Sequence, residues 1–244
     1  MLITSLDNAK VKHWWKLNQK RYRHQQKQFL VEGMHGVLEA CKCNRVLDLI
    51  LEQDVIFPTQ LNPIYVTKDI IKKISNLTSP PDVMAVCAIK DEEELIGSKY
   101  LLLDGIQDPI NLGVIIRSAV AFNIDTIVLG ANTVDCYNPK VVRATQGMLF
   151  HLNIIRQDLL NVIPILKQKG ISVIGTKVTH GEDIRNLNLK DNYALVVGNE
   201  GSGVSDETLA LCDDIIYIDM SAKCESLNVG VAASIILYEL NKRS

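Results

Sequence analysis

Short apolar runs alternate along this chain with stretches whose apolar positions recur every three or four residues. In the first part the pattern predicts a helix over 8–17, carrying Val11, Trp14, Trp15 and Leu17, and a short strand at Phe29-Leu30-Val31. A helix over 32–41 follows, then strands at 46–51 and 64–67, a helix at 69–74, and a strand at 83–89 after the Pro80-Pro81 break. Residues 1–90 therefore form a small α/β domain. The charged stretch from Lys90 to Lys99 lacks apolar periodicity over most of its length and marks a linker or a short solvated helix, with 91–98 as its centre.

The second part, 99–244, is more regular. Continuous apolar runs at 100–103, 126–129, 171–174, 193–197 and 215–218 have the character of strands covered on both faces. Helices are expected at 113–122, 140–145, 159–169, 204–211 and 228–240. Strands alternating with helices imply a parallel sheet, and such sheets hold ligands beyond the carboxyl ends of their strands. The loops after Leu103, Ile174, Val197 and Ile218 are the places where a site is expected.

Charge distribution adds to this picture. The net charge is only −2, but residues 1–31 hold Lys10, Lys12, Lys16, Lys20, Arg21, Arg23 and Lys27 against Asp7 alone. That leaves +6 at the amino-terminal end and −8 elsewhere, an asymmetry that points to a nucleic-acid-facing end. The start of the chain is too short in apolar residues for a signal peptide, and no run is long enough for a membrane span. The cysteines at 41, 43, 87, 136, 212 and 224 contain no C-x-x-C pair, so thiols are expected rather than a zinc site, in a cytoplasmic protein.

Three segments could carry chemistry. Arg117 is a full charge within the apolar run 113–122, which makes it either a paired or snorkelling arginine or an anion anchor. Asn111, six residues earlier, is a helix cap or an amide that orients a neighbour. Gly198-Asn199-Glu200-Gly201-Ser202-Gly203 joins a buried strand to a helix. Its glycine order is that of neither a P-loop nor a dinucleotide fingerprint, and Glu200 disfavours a phosphate ligand. Ile218 to Ala233 runs from a strand through a loop into a helix with small residues in its first turns, where Ser226 and Asn228 are candidate caps.

Taken in order, these segments resemble the three signature motifs of the SpoU/TrmH family of RNA ribose 2′-O-methyltransferases. The first matches at Asp108-Pro109-Ile110-Asn111-Leu112-Gly113 with Arg117, the second at Gly198-Asn199-Glu200-Gly201 with Gly203, and the third at Met220 with Ser226-Leu227-Asn228-Val229. Asn138-Pro139-Lys140 through Ala144, with Gly147, is also similar to the family. At the amino terminus, Ile3-Thr4-Ser5, Asn8, the basic run to Arg23, and Phe29 to Gly33 resemble the ribosomal-protein L30e-like substrate-binding domain of many members. There Trp14, Trp15 and Tyr22 offer stacking faces, at least one Trp being expected in the core.

The resemblance implies a carboxy-terminal α/β-knot domain of the SPOUT type, a deep trefoil knot with a mostly parallel sheet, in a homodimer. It implies S-adenosylmethionine held by Gly175, Thr176, Gly198, Asn199, Glu200, Gly201, Ile218, Met220, Ser226 and Leu227, with no metal. It assigns catalysis to Asn111, Arg117, Glu200, Ser226 and Asn228. The implied substrate is RNA, ribosomal first and transfer RNA second; a weakly catalytic RNA-binding relative and a base methyltransferase are the alternatives. The sequence departs from the family pattern at Asn123 and Ala222, where glycine is usual, at Asp219, where proline is usual, and at Gly230, where serine is common.

Overall fold

The computed structural model describes residues 2–91, 94–188 and 190–242. The chain opens with β1 (Leu2–Ile3), α1 (Ala9–Lys16), α2 (Lys20–Gln26), β2 (Gln28–Glu32) and α3 (Met34–Lys42). It continues through β3 (Val46–Glu52), β4 (Ile64–Val66), α4 (Lys68–Ile74) and β5 (Val83–Ala88). Then come β6 (Lys99–Asp104), α5 (Pro109–Ala121), β7 (Thr126–Leu129), α6 (Pro139–Thr145), β8 (Asn153–Arg156) and α7 (Leu159–Gln168). The last elements are β9 (Ser172–Thr176), β10 (Glu182–Asp183), β11 (Tyr193–Gly198), α8 (Asp206–Leu209), β12 (Asp214–Tyr217) and α9 (Val229–Asn241).

Contacts divide the described chain into two compact units. One comprises residues up to Asp91 together with Asp135–His151; the other comprises those from 94 to Val134 and from Leu152 onward. The first unit holds a mixed sheet in the order β1-β4-β3-β5-β2, with β3–β5 and β5–β2 antiparallel. Val11, Trp14, Leu17, Ile50, Ile70 and Met84 are buried together in its core. The segment 135–151 is bound to this unit by specific contacts. Arg23 donates to the Asp135 carboxylate at 2.7 Å, with both side chains almost wholly buried. His151 Nε2 lies 2.7 Å from Glu39 Oε2, and the Phe29 ring lies 4.8 Å from that of Tyr137.

The basic run is thereby corrected in part. Arg23 does not face solvent: it donates to the carbonyls of Leu17 and Asn18 as well as to Asp135. It fixes α2, a helix whose sequence KRYRHQQ has no apolar periodicity and which the pattern did not predict. Trp14 is the core tryptophan, its indole N–H donating to Asp48, whereas Trp15 is 45% exposed.

Among the described residues the second unit holds a sheet of seven strands, all parallel, in the order β10-β12-β9-β11-β6-β7-β8. The central strand β11 is buried at every position, as its unbroken apolar run predicts for a strand covered on both faces. β8 escaped the pattern because Ile154 and Ile155 are its only apolar residues. Helix α5 starts earlier than its apolar run, at Pro109, because the Asp108 carboxylate accepts from the N–H groups of Ile110 and Asn111. Helix α8 is only Asp206–Leu209, shorter than the expected 204–211. Part of the linker expected at 91–98 falls on residues 92 and 93, which lie outside the described residues. No helix among the described residues is long and apolar enough to cross a membrane.

Candidate active site

The carboxyl ends of the central strands bring the three sequence segments together. β6 ends at Asp104 and leads to α5; β11 ends at Gly198 and leads into the 199–203 turn; the chain beyond β12 leads to α9. The turn is closed by reciprocal backbone hydrogen bonds of 2.9 Å between Asn199 and Gly203. Gly198 is obligatory there, since a Cβ would lie 2.0 Å from backbone atoms of Gly203 and Val204. Asn199 Oδ1 accepts from the N–H of Gly201 at 2.9 Å, and its Nδ2 donates to the Gly105 carbonyl at 2.8 Å.

Glu200 is the junction. Its carboxylate accepts from the Asn111 amide at 3.0 Å, from Asp108 N–H at 2.9 Å and from Gln107 N–H at 3.1 Å. Burial opposes its charge, but the hydrogen bonds from Asn111, Asp108 and Gln107 outweigh burial and hold the carboxyl below its ordinary value. Asn111 is 8% exposed, and its Oδ1 accepts from Asn228 Nδ2 at 2.9 Å. Asn228 also caps α9 through Gly230 N–H at 2.9 Å. The cap and the orienting amide are thus one side chain.

Beside this junction lies a cleft of about 190 Å³. Thr176, Gly198, Asn199, Glu200, Gly201, Ile218, Met220, Ser226 and Leu227 all line it. Gly175 does not: it is buried where a Cβ would come 3.0 Å from Cys212 and Leu209. The cofactor set read from the sequence left out Lys177, Val178, Ala232 and Ile236, and did not include Val197 or the motif residues Gly203 and Val229, all of which also line the cleft. Val229, Ala232 and Ile236 recur along one side of α9, a spacing that could have signalled them.

Arg117 is not brought into this cleft. It is exposed, with no ion pair or hydrogen bond among the described residues, and lies near Val114, Ser118, Phe122 and Ser234. The paired core arginine is therefore excluded. Nearby, the hydroxyls of Ser118 and Ser234 are 2.7 Å apart, and Gly230 lets α9 approach Val114 closely. Two departures from the family pattern also acquire a geometry. Asn123 sits at φ 58°, where asparagine serves nearly as well as glycine, and Asp219 accepts from Arg185 at 3.1 Å.

Residues 98–238 match the SpoU rRNA Methylase family, and residues 8–85 match the MRM3-like substrate binding domain. The 23S rRNA (guanosine(2553)-2′-O)-methyltransferase RlmP of Bacillus subtilis is 36% identical over 98% of both chains. A TrmH-family chain from Porphyromonas gingivalis superposes with TM-score 0.89 at 31% identity, covering 98% of this chain and 100% of that one. The AdoMet-bound rRNA methyltransferase of Sinorhizobium meliloti gives 0.88 at 26%, covering 100% and 98%. The fold and the sequence define an α/β RNA methyltransferase. The chain belongs to the SpoU/TrmH family and is an RNA 2′-O-ribose methyltransferase.

Proposed function

We propose that this chain transfers the methyl group of S-adenosylmethionine to the ribose 2′-hydroxyl of a guanosine in ribosomal RNA. The observation that carries this reading is the Asn111–Glu200–Asn228 junction set against the cleft. The donor set fits the cofactor. Ile218, Met220, Leu227 and Ile236 give apolar walls for an adenine ring, and the glycine turn brings backbone close to the ligand. Bound there, S-adenosylmethionine supplies an electrophilic methyl group on its sulfonium.

The protein's own contribution is position and charge. Glu200 and Asn228 hold Asn111, and with Ser226 they orient the ribose. Arg117 anchors the RNA phosphate and stabilises the charge developing on the 2′-oxygen. A guanidinium stays protonated, so its role is electrostatic rather than that of a free base. Six residues separate Asn111 from Arg117, which places them roughly 120° apart around α5 and about 9 Å along it. A single copy does not converge them, which supports a homodimer through the α5 and α9 face. There Ile110, Val231 and Tyr238 are 61%, 46% and 52% exposed. The resemblance adds the trefoil knot in the carboxy-terminal chain.

Residues 1–90 would grip RNA, 91–98 link, and 99–244 catalyse. Lys16, Lys20 and Arg21 are exposed without ion-pair partners among the described residues, and Trp15 offers a stacking face close by. None of the six cysteines forms a disulfide among the described residues, which agrees with a reducing, cytoplasmic location. Mapping ribose methylation on total RNA with and without the gene tests the reading. A single ribosomal guanosine losing its 2′-O-methyl mark is expected; loss only from transfer RNA, or from a base nitrogen, would overturn it.

A further inference from the structure

A second cavity, of about 350 Å³, lies in the same unit and shares Asn199 and Gly203 with the cofactor cleft as lining. It sits where β6 and β7 end, between the 104–107 and 131–132 loops, the start of α7 and the start of α8. No feature of the proposed methyl transfer uses it. Its size is that of a small-ligand pocket, and it adjoins the cofactor cleft across the 199–203 turn.

The chemistry of its walls is one-sided. Asp104, Asp158 and Glu207 line it, and among the described residues no lysine or arginine does. Asp104 is half-buried; one of its oxygens accepts from both the N–H and the hydroxyl of Ser205, at 2.9 and 2.8 Å. Its other oxygen has no partner among the described residues, and neither does either oxygen of Glu207. Asp158 uses one oxygen to cap α7 through Leu160 N–H at 3.0 Å. Such a cavity repels phosphate and asks for hydrogen-bond donors. Among the described residues no group of three or more His, Cys, Asp or Glu side chains converges as metal ligands, and a phosphate, which brings acceptors, does not answer the demand for donors.

A nucleobase does. Guanine carries an imino N–H and an amino group side by side on its Watson–Crick edge, matching acceptor-only carboxylate oxygens. Adenine and cytosine set one amino group beside a ring nitrogen whose lone pair a carboxylate repels. Uracil offers one N–H between two carbonyls. We propose that this cavity receives the guanine base of the nucleotide being methylated, read by Glu207 and by the free oxygen of Asp104. The inference rests on the ribose-methylation reading above and adds to it the recognition of the base.

The test uses the full-length protein and short RNAs carrying the mapped target nucleotide as guanosine, inosine or adenosine. Inosine keeps the imino N–H and lacks the amino group. The wild-type protein is expected to prefer guanosine over inosine in kcat/KM, with adenosine poorest. Glu207→Gln is expected to lower kcat/KM for guanosine by roughly tenfold to a hundredfold, the worth of a hydrogen bond to a charged group, and to bring the guanosine-to-inosine ratio towards one. Its affinity for S-adenosylmethionine should be unchanged. Asp104→Asn provides a second variant on an independent wall. Equal wild-type activity on all three RNAs, or an unchanged ratio in both variants, would overturn base reading while leaving ribose methylation intact. Absence of any ribose methyl product would instead defeat the functional reading itself.

Discussion

Asn228 donates from its amide to Asn111 Oδ1 at 2.9 Å while its own carbonyl oxygen caps α9. This fixes the direction of the whole relay. Glu200, as a carboxylate, only accepts, so Asn111 must turn its amide nitrogen towards it and its oxygen towards Asn228. The helix N–H groups beyond Asn228 then require that side chain's oxygen. A chain of two asparagines between an anion and a helix N-terminus has one consistent orientation.

That orientation makes Asn111→Asp a severe change despite its small size. A second carboxylate would face Glu200 at hydrogen-bond distance, and like charges there disfavour ionisation of one of them. The variant is expected to fold, to lose methyl transfer, and to bind S-adenosylmethionine more weakly. Circular dichroism, single-turnover assays and calorimetric titration measure the three. Unaltered turnover would show that the relay is not part of the site.

Arg117→Ala should behave differently. The side chain is exposed and unbonded among the described residues, so its loss is expected to leave the fold of the single chain and the cofactor cleft intact. Methyl transfer is expected to vanish while cofactor titration is unchanged. Near-normal turnover would remove the assignment of Arg117 to the reaction.

The acid limb of stability carries a signature of Glu200. Its folded carboxyl is held below the ordinary value, with the hydrogen bonds from Asn111, Asp108 and Gln107 overcoming burial. A depressed carboxylate contributes in full above its unfolded pKa of about 4.3 and loses that contribution as pH falls through the folded value. The gap in melting temperature between wild type and Glu200→Gln is therefore expected to be constant from neutrality down to that region and to close below it. A gap that closes near pH 6 would contradict this.

Asp219 stands where proline is usual, next to Ile218 and Met220 of the cleft. Its contact with Arg185 substitutes an ion pair for a stiff backbone. Both side chains are exposed, so the effect is modest and screened by salt. Arg185→Ala should weaken cofactor binding by no more than about fivefold, with the difference shrinking at high ionic strength. An effect independent of salt would point to another cause.

In the first unit, Asp135→Ala leaves the buried Arg23 without its anion. Removing one partner of a buried pair costs about 3–5 kcal/mol, measurable as a shift in urea midpoint. Replacing both residues by apolar ones of similar volume should cost much less. Equal losses in the single and double variants would show that the charge pairing is not what matters.

Much of this was legible in the linear pattern. The five apolar runs predicted as strands in the second unit are β6, β7, β9, β11 and β12; in the central strands both faces of the parallel sheet are buried and leave an unbroken apolar signal, while β12 is only partly buried. β8 and α2 were not legible. One is half polar; the other is anchored through Arg23, whose partner Asp135 lies more than a hundred residues away. The residues of the second and third motifs, Asn228 apart, do line the cleft, whereas Gly175 lies behind it against Cys212 and Leu209; a strand-end glycine looks the same in sequence whether it faces a cleft or a helix.

The sequence by itself determined the parallel α/β unit, the order of the three motif segments and the residue types that could act. Those follow from local periodicity and from spacing along the chain. Only the tertiary structure decided that Asn111, Glu200 and Asn228 are hydrogen-bonded neighbours, that Arg117 stands apart and exposed, and that 135–151 belongs to the first unit. These are relations between residues distant in sequence. Their energies come from hydrogen bonds and buried charge pairs that do not exist until the strands and helices are packed.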